Sequence, residues 1–197
     1  MDLKELIEII PGSFQPNKEL PDPDLMLYYG ELKDRVLWLE DDIDWNSCQF
    51  IIKYIQYLNR HESDDTTPIK LHIMSCGGEL STMFTLYHTI RASKIPVHTI
   101  NEGMAHSAAF IIFLAGDKRA MQEDALFIAH EGSGRLSGTY RESKRAMAQY
   151  DKEVGRMKDI IVDRTKVSLE EVEKHFDEDS DWYINHDEAL EIGAITE

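Results

Sequence analysis

Residues 68–78, PIKLHIMSCGG, decide the fold. An apolar run ends there in a serine, a cysteine and two glycines, and apolar residues at helical spacing follow from Leu80 to Ile90. A strand, a turn and a helix in this order form the first part of a βαβ unit. The next apolar run, residues 95–100, supplies the second strand, so the two strands are predicted to lie parallel.

The same alternation of strands and helices continues on both sides of this unit. Two more short apolar runs are predicted as buried strands, and five more stretches with helical spacing or capping residues as helices. The strands are residues 35–39 and 126–129, and the helices are 44–58, 108–114, 141–164, 169–176 and 187–193. The sequence therefore predicts an α/β fold with βαβ units and a mostly parallel sheet.

The chain is long enough for one domain, and its N-terminal part differs from the rest. Its 197 residues include 42% hydrophobic residues, which is typical of a globular protein. Four of the six prolines lie in the first 30 residues, after a short amphipathic segment at Leu3–Ile10. We therefore expect an N-terminal arm at 1–32 and a single domain at 33–197.

Charge and composition exclude several classes of function. The formal charge of −16 argues against general nucleic-acid binding, because such a surface repels phosphates. The N-terminus does not resemble a secretory signal, and the longest apolar run, residues 108–115, is too short to span a bilayer. We therefore expect a protein that does not bind membranes. A chain with only two cysteines is typical of a reducing compartment, so we expect it in the cytoplasm.

Four places carry residues suited to catalysis. The turn at 75–78 puts two glycines before a helix, where backbone N–H groups can hold an anion. Ser107 opens an apolar helix among small residues, His130 follows a strand, and Asp181 precedes an apolar run. Together they offer a nucleophile, a base, an orienting acid and an oxyanion site. The simpler interpretations are a tight turn, a capping serine, a structural histidine and a solvated acidic loop (Asp177, Glu178, Asp179 and Asp181).

Other kinds of site have little support in the sequence. The histidines form no compact zinc motif, and no glycine pattern matches a phosphate-binding loop. We therefore expect no metal and no bound cofactor in this chain.

Five stretches resemble the ClpP family, the proteolytic subunit of the ATP-dependent caseinolytic protease. They keep the family's order and approximate spacing over roughly residues 33–197. They are RVLWL at 35–39, SCGG at 75–78 (the family has S-P-G-G) and GMAHS at 103–107 (the family has G-M-A-A-S). Residues 118–130 match, without a gap, the stretch that ends in the family's catalytic histidine. The last is DWYI at 181–184 followed by EALEIG at 188–193.

The resemblance implies a set of roles. Ser107 would be the nucleophile, His130 the general base and Asp181 the group that orients His130, with the backbone N–H groups of Gly78 and Ala108 as the oxyanion hole. It also implies a ClpP/crotonase-like fold in which the helix at 141–164 is a protruding handle. Two stacked heptameric rings, polypeptide substrates and an AAA+ unfoldase partner are further implications; ATP would be used by that partner and not by this subunit.

The sequence departs from the family pattern at several positions. Cys76 replaces a proline, and is either a reactive thiol or a small buried filler; His106 stands where a small residue is usual. Glu131 and Gly132 replace Gln-Pro, the turn at 116–118 is shorter, and the arm does not match the family's axial loops. These departures indicate a divergent member, such as a phage or plasmid-type homologue.

We therefore predict a serine endopeptidase that works by acyl transfer inside a ring-shaped oligomer. One alternative is a non-catalytic ClpP-like ring subunit, which would be expected to have lost triad residues. The other is a crotonase-like acyl-CoA enzyme, which needs no Ser–His–Asp set. The complete triad argues against both.

Overall fold

The computed structural model of the protein describes residues 22–63, 66–133, 137–179 and 181–196. Six strands and seven helices lie within these ranges. The strands are β1 (Val36–Leu39), β2 (Ile69–Ser75), β3 (Val97–His106), β4 (Lys118–Met121), β5 (Leu126–Ala129) and β6 (Trp182–Ile184). The helices are α1 (Pro23–Lys33), α2 (Trp45–His61), α3 (Leu80–Arg91), α4 (Ala108–Leu114), α5 (Tyr140–Arg164), α6 (Leu169–Asp179) and α7 (His186–Glu191).

The strands form one mostly parallel sheet, which confirms the predicted α/β fold. Its order is β1-β2-β3-β5-β6, and β4 pairs with the first part of β3. Strands β1 to β5 pair in parallel, whereas β6 runs antiparallel to β5. The last strand therefore begins at the edge of the sheet where β5 ends.

Three features of the sheet differ from the sequence prediction. Strand β3 continues beyond residue 100 to His106, although Asn101, Glu102 and Gly103 interrupt its apolar pattern. Strands β4 and β6 were not predicted, because β4 carries two basic residues and β6 has three residues, too few to show a period.

One face of the sheet packs against helices and holds the core. In β2, Ile69, Leu71 and Ile73 are fully buried, while the residues between them are more exposed, as a strand period of two requires. All seven residues of α4 are buried. The Phe127 ring of β5 lies 4.9 Å from that of Phe110 and 4.7 Å from that of Phe113, so α4 is fixed against the sheet by aromatic contacts.

Local sequence signals explain where the helices begin. Asp44 and Ser47 form a capping box at the start of α2. Ser168 and Glu171 form the predicted contact before α6, since Ser168 Oγ accepts the Glu171 N–H at 3.2 Å. Helix α5 starts one residue earlier than predicted because Thr139 caps it.

The N-terminal arm is only partly within the described residues. The amphipathic segment Leu3–Ile10 lies outside them. Residues of the arm from Pro23 onward form α1, in which no residue is buried. The domain boundary after residue 32 stays a prediction.

Helix α5, the predicted handle, has two different halves. Val154, Met157 and Ile161 in its second half are buried against the core. In its first half Tyr140 is 83% exposed, and Met147 is also exposed. Among the described residues, no helix combines the length and the apolar character that a membrane-spanning segment needs.

Candidate active site

The sheet topology brings the four predicted site segments to one edge. Parallel strands end at the same edge of a sheet, so the glycine turn after β2, Ser107 after β3 and His130 after β5 lie side by side. Asp181 joins them because β6 is antiparallel: Ala129 pairs with Trp182, the residue after Asp181. Segments far apart in sequence therefore lie in neighbouring strand positions.

Ser107 sits on a strained turn between β3 and α4. Its φ of 55° is rare for a residue with a side chain, and its ψ is −122°. The backbone is held there because the Ser107 N–H donates to the Ile128 carbonyl at 2.6 Å. Although Ser107 occupies the N-cap position, its side chain makes no capping hydrogen bond, so the hydroxyl is not used as a cap.

His130 and Asp181 lie within ion-pair distance of each other. The His130 Nδ1 and Asp181 Oδ1 atoms are 3.3 Å apart, with 27% and 42% of the two side chains exposed. An imidazole held through Nδ1 presents Nε2 as the atom that can accept a proton. The acidic neighbours Asp177, Glu178 and Asp179 have side chains outside the described part of the chain.

The glycine turn lies directly against the nucleophile. A Cβ built on Gly77, whose φ is +101°, would be 2.9 Å from the Ser107 Cβ. A Cβ on Gly78 would overlap the backbone of Ile43, reaching 2.7 Å from its nitrogen. Both positions therefore require glycine because other backbone atoms approach them closely.

Backbone hydrogen bonds from the segment after β1 hold this turn. The Ile43 N–H donates to the Gly77 carbonyl and the Glu79 N–H to the Ile43 carbonyl, both at 2.7 Å. Ser75 Oγ also donates to the Asp41 carbonyl at 2.6 Å. Ile43 therefore pairs in parallel with Gly78 through the Gly77 carbonyl and the Glu79 N–H. In a parallel pairing of this kind, the N–H of the opposite residue, here Gly78, points to the other side. Within the described residues, neither it nor the Ala108 N–H donates a hydrogen bond.

Two unusual side chains border the site. The Cys76 thiol is exposed and donates to Met104 Sδ at 3.7 Å, so the interpretation of Cys76 as a buried filler is wrong. A cavity of about 440 Å³ adjoins it, lined partly by Glu40 and Asp42. The His106 Nε2 atom is buried without a hydrogen-bond partner among the described residues. Burial, and then the nearby His130, lower the pKa of His106.

Two contributors to this edge were not found from sequence. The segment around Ile43 lies 34 residues before Gly77 and carries no motif, and only the sheet topology identifies it. Tyr150 and Lys158 of α5 contact Glu131, the residue after His130. Within the described ranges, no three His, Cys, Asp or Glu side chains converge in a way that could hold a metal ion.

The fold and this edge define an α/β protein with Ser107 and His130 after the carboxyl ends of two parallel strands and Asp181 before the amino end of the antiparallel strand beside them. A family model described as Clp protease matches residues 24–197. The chain therefore belongs to the Clp protease family.

Proposed function

We propose that this chain is a serine endopeptidase of the Clp protease type. The observation that carries the proposal is the His130–Asp181 pair, at 3.3 Å, beside a strained serine whose hydroxyl is not used as a helix cap. Residues held in such rare backbone conformations cluster at functional sites. Membership of the Clp protease family gives independent support.

In the proposed reaction, the Ser107 hydroxyl attacks a peptide carbonyl carbon. His130 Nε2 takes the hydroxyl proton and gives it to the leaving amine, which yields an acyl-enzyme and one free peptide. A water molecule, deprotonated by His130, then releases the second peptide. Asp181 orients the imidazole and stabilises its charged form.

The oxyanion hole in this proposal consists of two backbone N–H groups, those of Gly78 and Ala108. Both are without a protein acceptor among the described residues, which leaves them available to a developing negative charge. Losing one such donor typically raises the barrier by about 2.7–4 kcal/mol. No cofactor or metal takes part in these steps.

We further propose that the chain works as two stacked heptameric rings that enclose the active sites in a chamber. The exposed first half of α5, with Tyr140 and Met147, supports a contact between subunits. Polypeptides would be delivered by an AAA+ unfoldase that uses ATP, in the cytoplasm. The N-terminal arm at 1–32 would be separate from the catalytic domain at 33–197.

The direct test is peptide hydrolysis by a set of variants. We expect Ser107→Ala and His130→Ala each to lower kcat by at least about 10³-fold, and the double variant to lose little more, because a triad acts as a unit. The control Ser81→Ala, on the exposed side of α3, is expected to keep full activity.

Two other outcomes would replace the proposal. A wild-type chain that assembles but never cleaves peptides or reacts with a serine-directed inhibitor would be a non-catalytic ring subunit. Turnover of an acyl-CoA thioester, unaffected by Ser107→Ala, would instead indicate a crotonase-like enzyme.

A further inference from the structure

The segment that carries the proposed base leaves the sheet at His130 and is held from outside the sheet. Strand β5 ends at Ala129, and residues 130–133 have no regular structure. Gly132, at a φ of +89°, gives this part of the chain no side-chain restraint of its own. The His130 Nδ1 and Asp181 Oδ1 atoms are 3.3 Å apart, which is beyond the usual length of an N–H···O hydrogen bond, so a small shift of this segment would separate the pair.

Glu131, the residue after His130, is bound twice by helix α5. Tyr150 Oη donates to the Glu131 carbonyl oxygen at 2.8 Å, and Lys158 Nζ lies 2.9 Å from Glu131 Oε1. The two α5 residues are eight positions apart, about 12 Å along the helix axis, and one holds the Glu131 backbone while the other holds its side chain.

Both α5 side chains are themselves fixed. Lys158 is only 15% exposed and its Nζ lies 5.4 Å from the centre of the Phe176 ring. A Cβ on Gly132 would come within 2.6 Å of Tyr150 Oη, so the segment fits closely against the phenol. Burial, followed by the charges of Glu131 and Glu153, raises the pKa of Tyr150, which keeps its hydroxyl protonated as a donor.

We propose that Tyr150 and Lys158 are positioning residues that hold Glu131 and thereby keep His130 within ion-pair distance of Asp181. The expected effect on kcat rests on the proposed peptidase function. The expected effect on the separation of His130 and Asp181 does not depend on that function. The Glu131 side chain is 46% exposed, so its ion pair with Lys158 contributes little to global stability. Removing the contacts should therefore move the base without unfolding the protein.

The test compares Tyr150→Phe, Lys158→Met and the double variant with two controls. Tyr57→Phe on α2 and Lys152→Met on α5 make the same chemical changes at exposed positions away from Glu131. We expect the double variant to lower kcat by about 10-fold or more with KM changed less than about two-fold, since sub-ångström misplacement of a catalytic group costs rate. The controls and Lys158→Arg, which keeps the charge, should stay near the wild-type kcat.

The second readout is the imidazole Nδ1–H resonance of His130, measured by NMR in the same proteins. We expect this downfield signal in the wild type and controls and its loss in the double variant, whether or not the protein hydrolyses peptides. If the wild type proves inactive, the proposed function fails, yet the NMR comparison still decides this inference. An unchanged signal in a folded double variant, or a loss of kcat that only parallels a lower melting temperature, would overturn it.

Discussion

Replacing Gly77 by alanine tests how closely the glycine turn is built against the nucleophile. The added Cβ would lie 2.8 Å from the His106 carbonyl oxygen, 2.9 Å from the Ser107 Cβ and 3.1 Å from the Ala108 nitrogen. All three neighbours are backbone or Cβ atoms, so none can move away as the flexible end of a side chain could. The new methyl group must therefore displace the turn or Ser107.

The structure sets the size of the effect. Ordinary contacts of a Cβ begin at 3.4 Å, so the closest neighbour must move by about 0.6 Å. A displacement of about 1 Å at a catalytic group can cost about 10²-fold in rate, so we expect kcat/KM to fall by about 10-fold or more. The φ of +101° adds backbone strain of about 1–3 kcal/mol, which should lower the free energy of unfolding by a similar amount.

The assay measures kcat/KM with a fluorogenic peptide and the free energy of unfolding in urea. Gly103→Ala is the matched control, because Gly103 lies in β3, the strand that leads to Ser107, and a Cβ there meets nothing within 4 Å. The control should keep activity within about two-fold and should not lose stability. A Gly77→Ala protein with wild-type kcat/KM and unchanged unfolding would refute the close approach of this turn to Ser107.

Three further outcomes follow from the site and the charge. The pKa of His106 is lowered in the folded protein, so the unfolded chain binds a proton at this residue more readily. The free energy of unfolding should therefore fall as the pH drops below about 6.5, by up to about 1.4 kcal/mol per pH unit. Urea unfolding of His106→Asn should show a shallower decline. Iodoacetamide should label the exposed Cys76 and spare the buried Cys48, and the adduct beside Gly77 should block hydrolysis; peptide mapping with the label on Cys48 would contradict this. Each chain carries a charge of −16, so the proposed rings should form more readily in moderate salt, which screens the repulsion between chains. Peptidase activity should therefore rise with moderate salt and with protein concentration. An active monomer in light scattering would exclude the proposed rings.

Most of the fold was predictable because the apolar runs carry the right periods. The βαβ unit around residues 68–100 and the long helix α5 were predicted from such patterns, and both are confirmed. Strand β6 was not predictable, since three residues show no period and its antiparallel direction depends on its pairing with β5. That direction is what brings Asp181 next to His130.

For the site, residue types could be predicted from the sequence, but their spatial relations could not. Ser107, His130 and Asp181 were identified through their motifs, and their catalytic roles stay a prediction. The contacts of Ile43 with Gly78, and of Tyr150 with Glu131, join segments that share no motif. Such contacts depend on strand order and helix packing, which the local sequence does not encode. The exposure of Cys76 likewise depends on which neighbours surround it.

The most direct test of the central claim is to map the adduct formed with a fluorophosphonate, which reacts with activated serines. The purified chain is labelled until peptidase activity stops, digested, and analysed by mass spectrometry, with Ser107→Ala treated in parallel. We expect one adduct per chain, on Ser107, in proportion to the activity lost, and no adduct in Ser107→Ala. An adduct on a different serine, or peptide hydrolysis that persists in Ser107→Ala, would contradict the claim that Ser107 is the nucleophile.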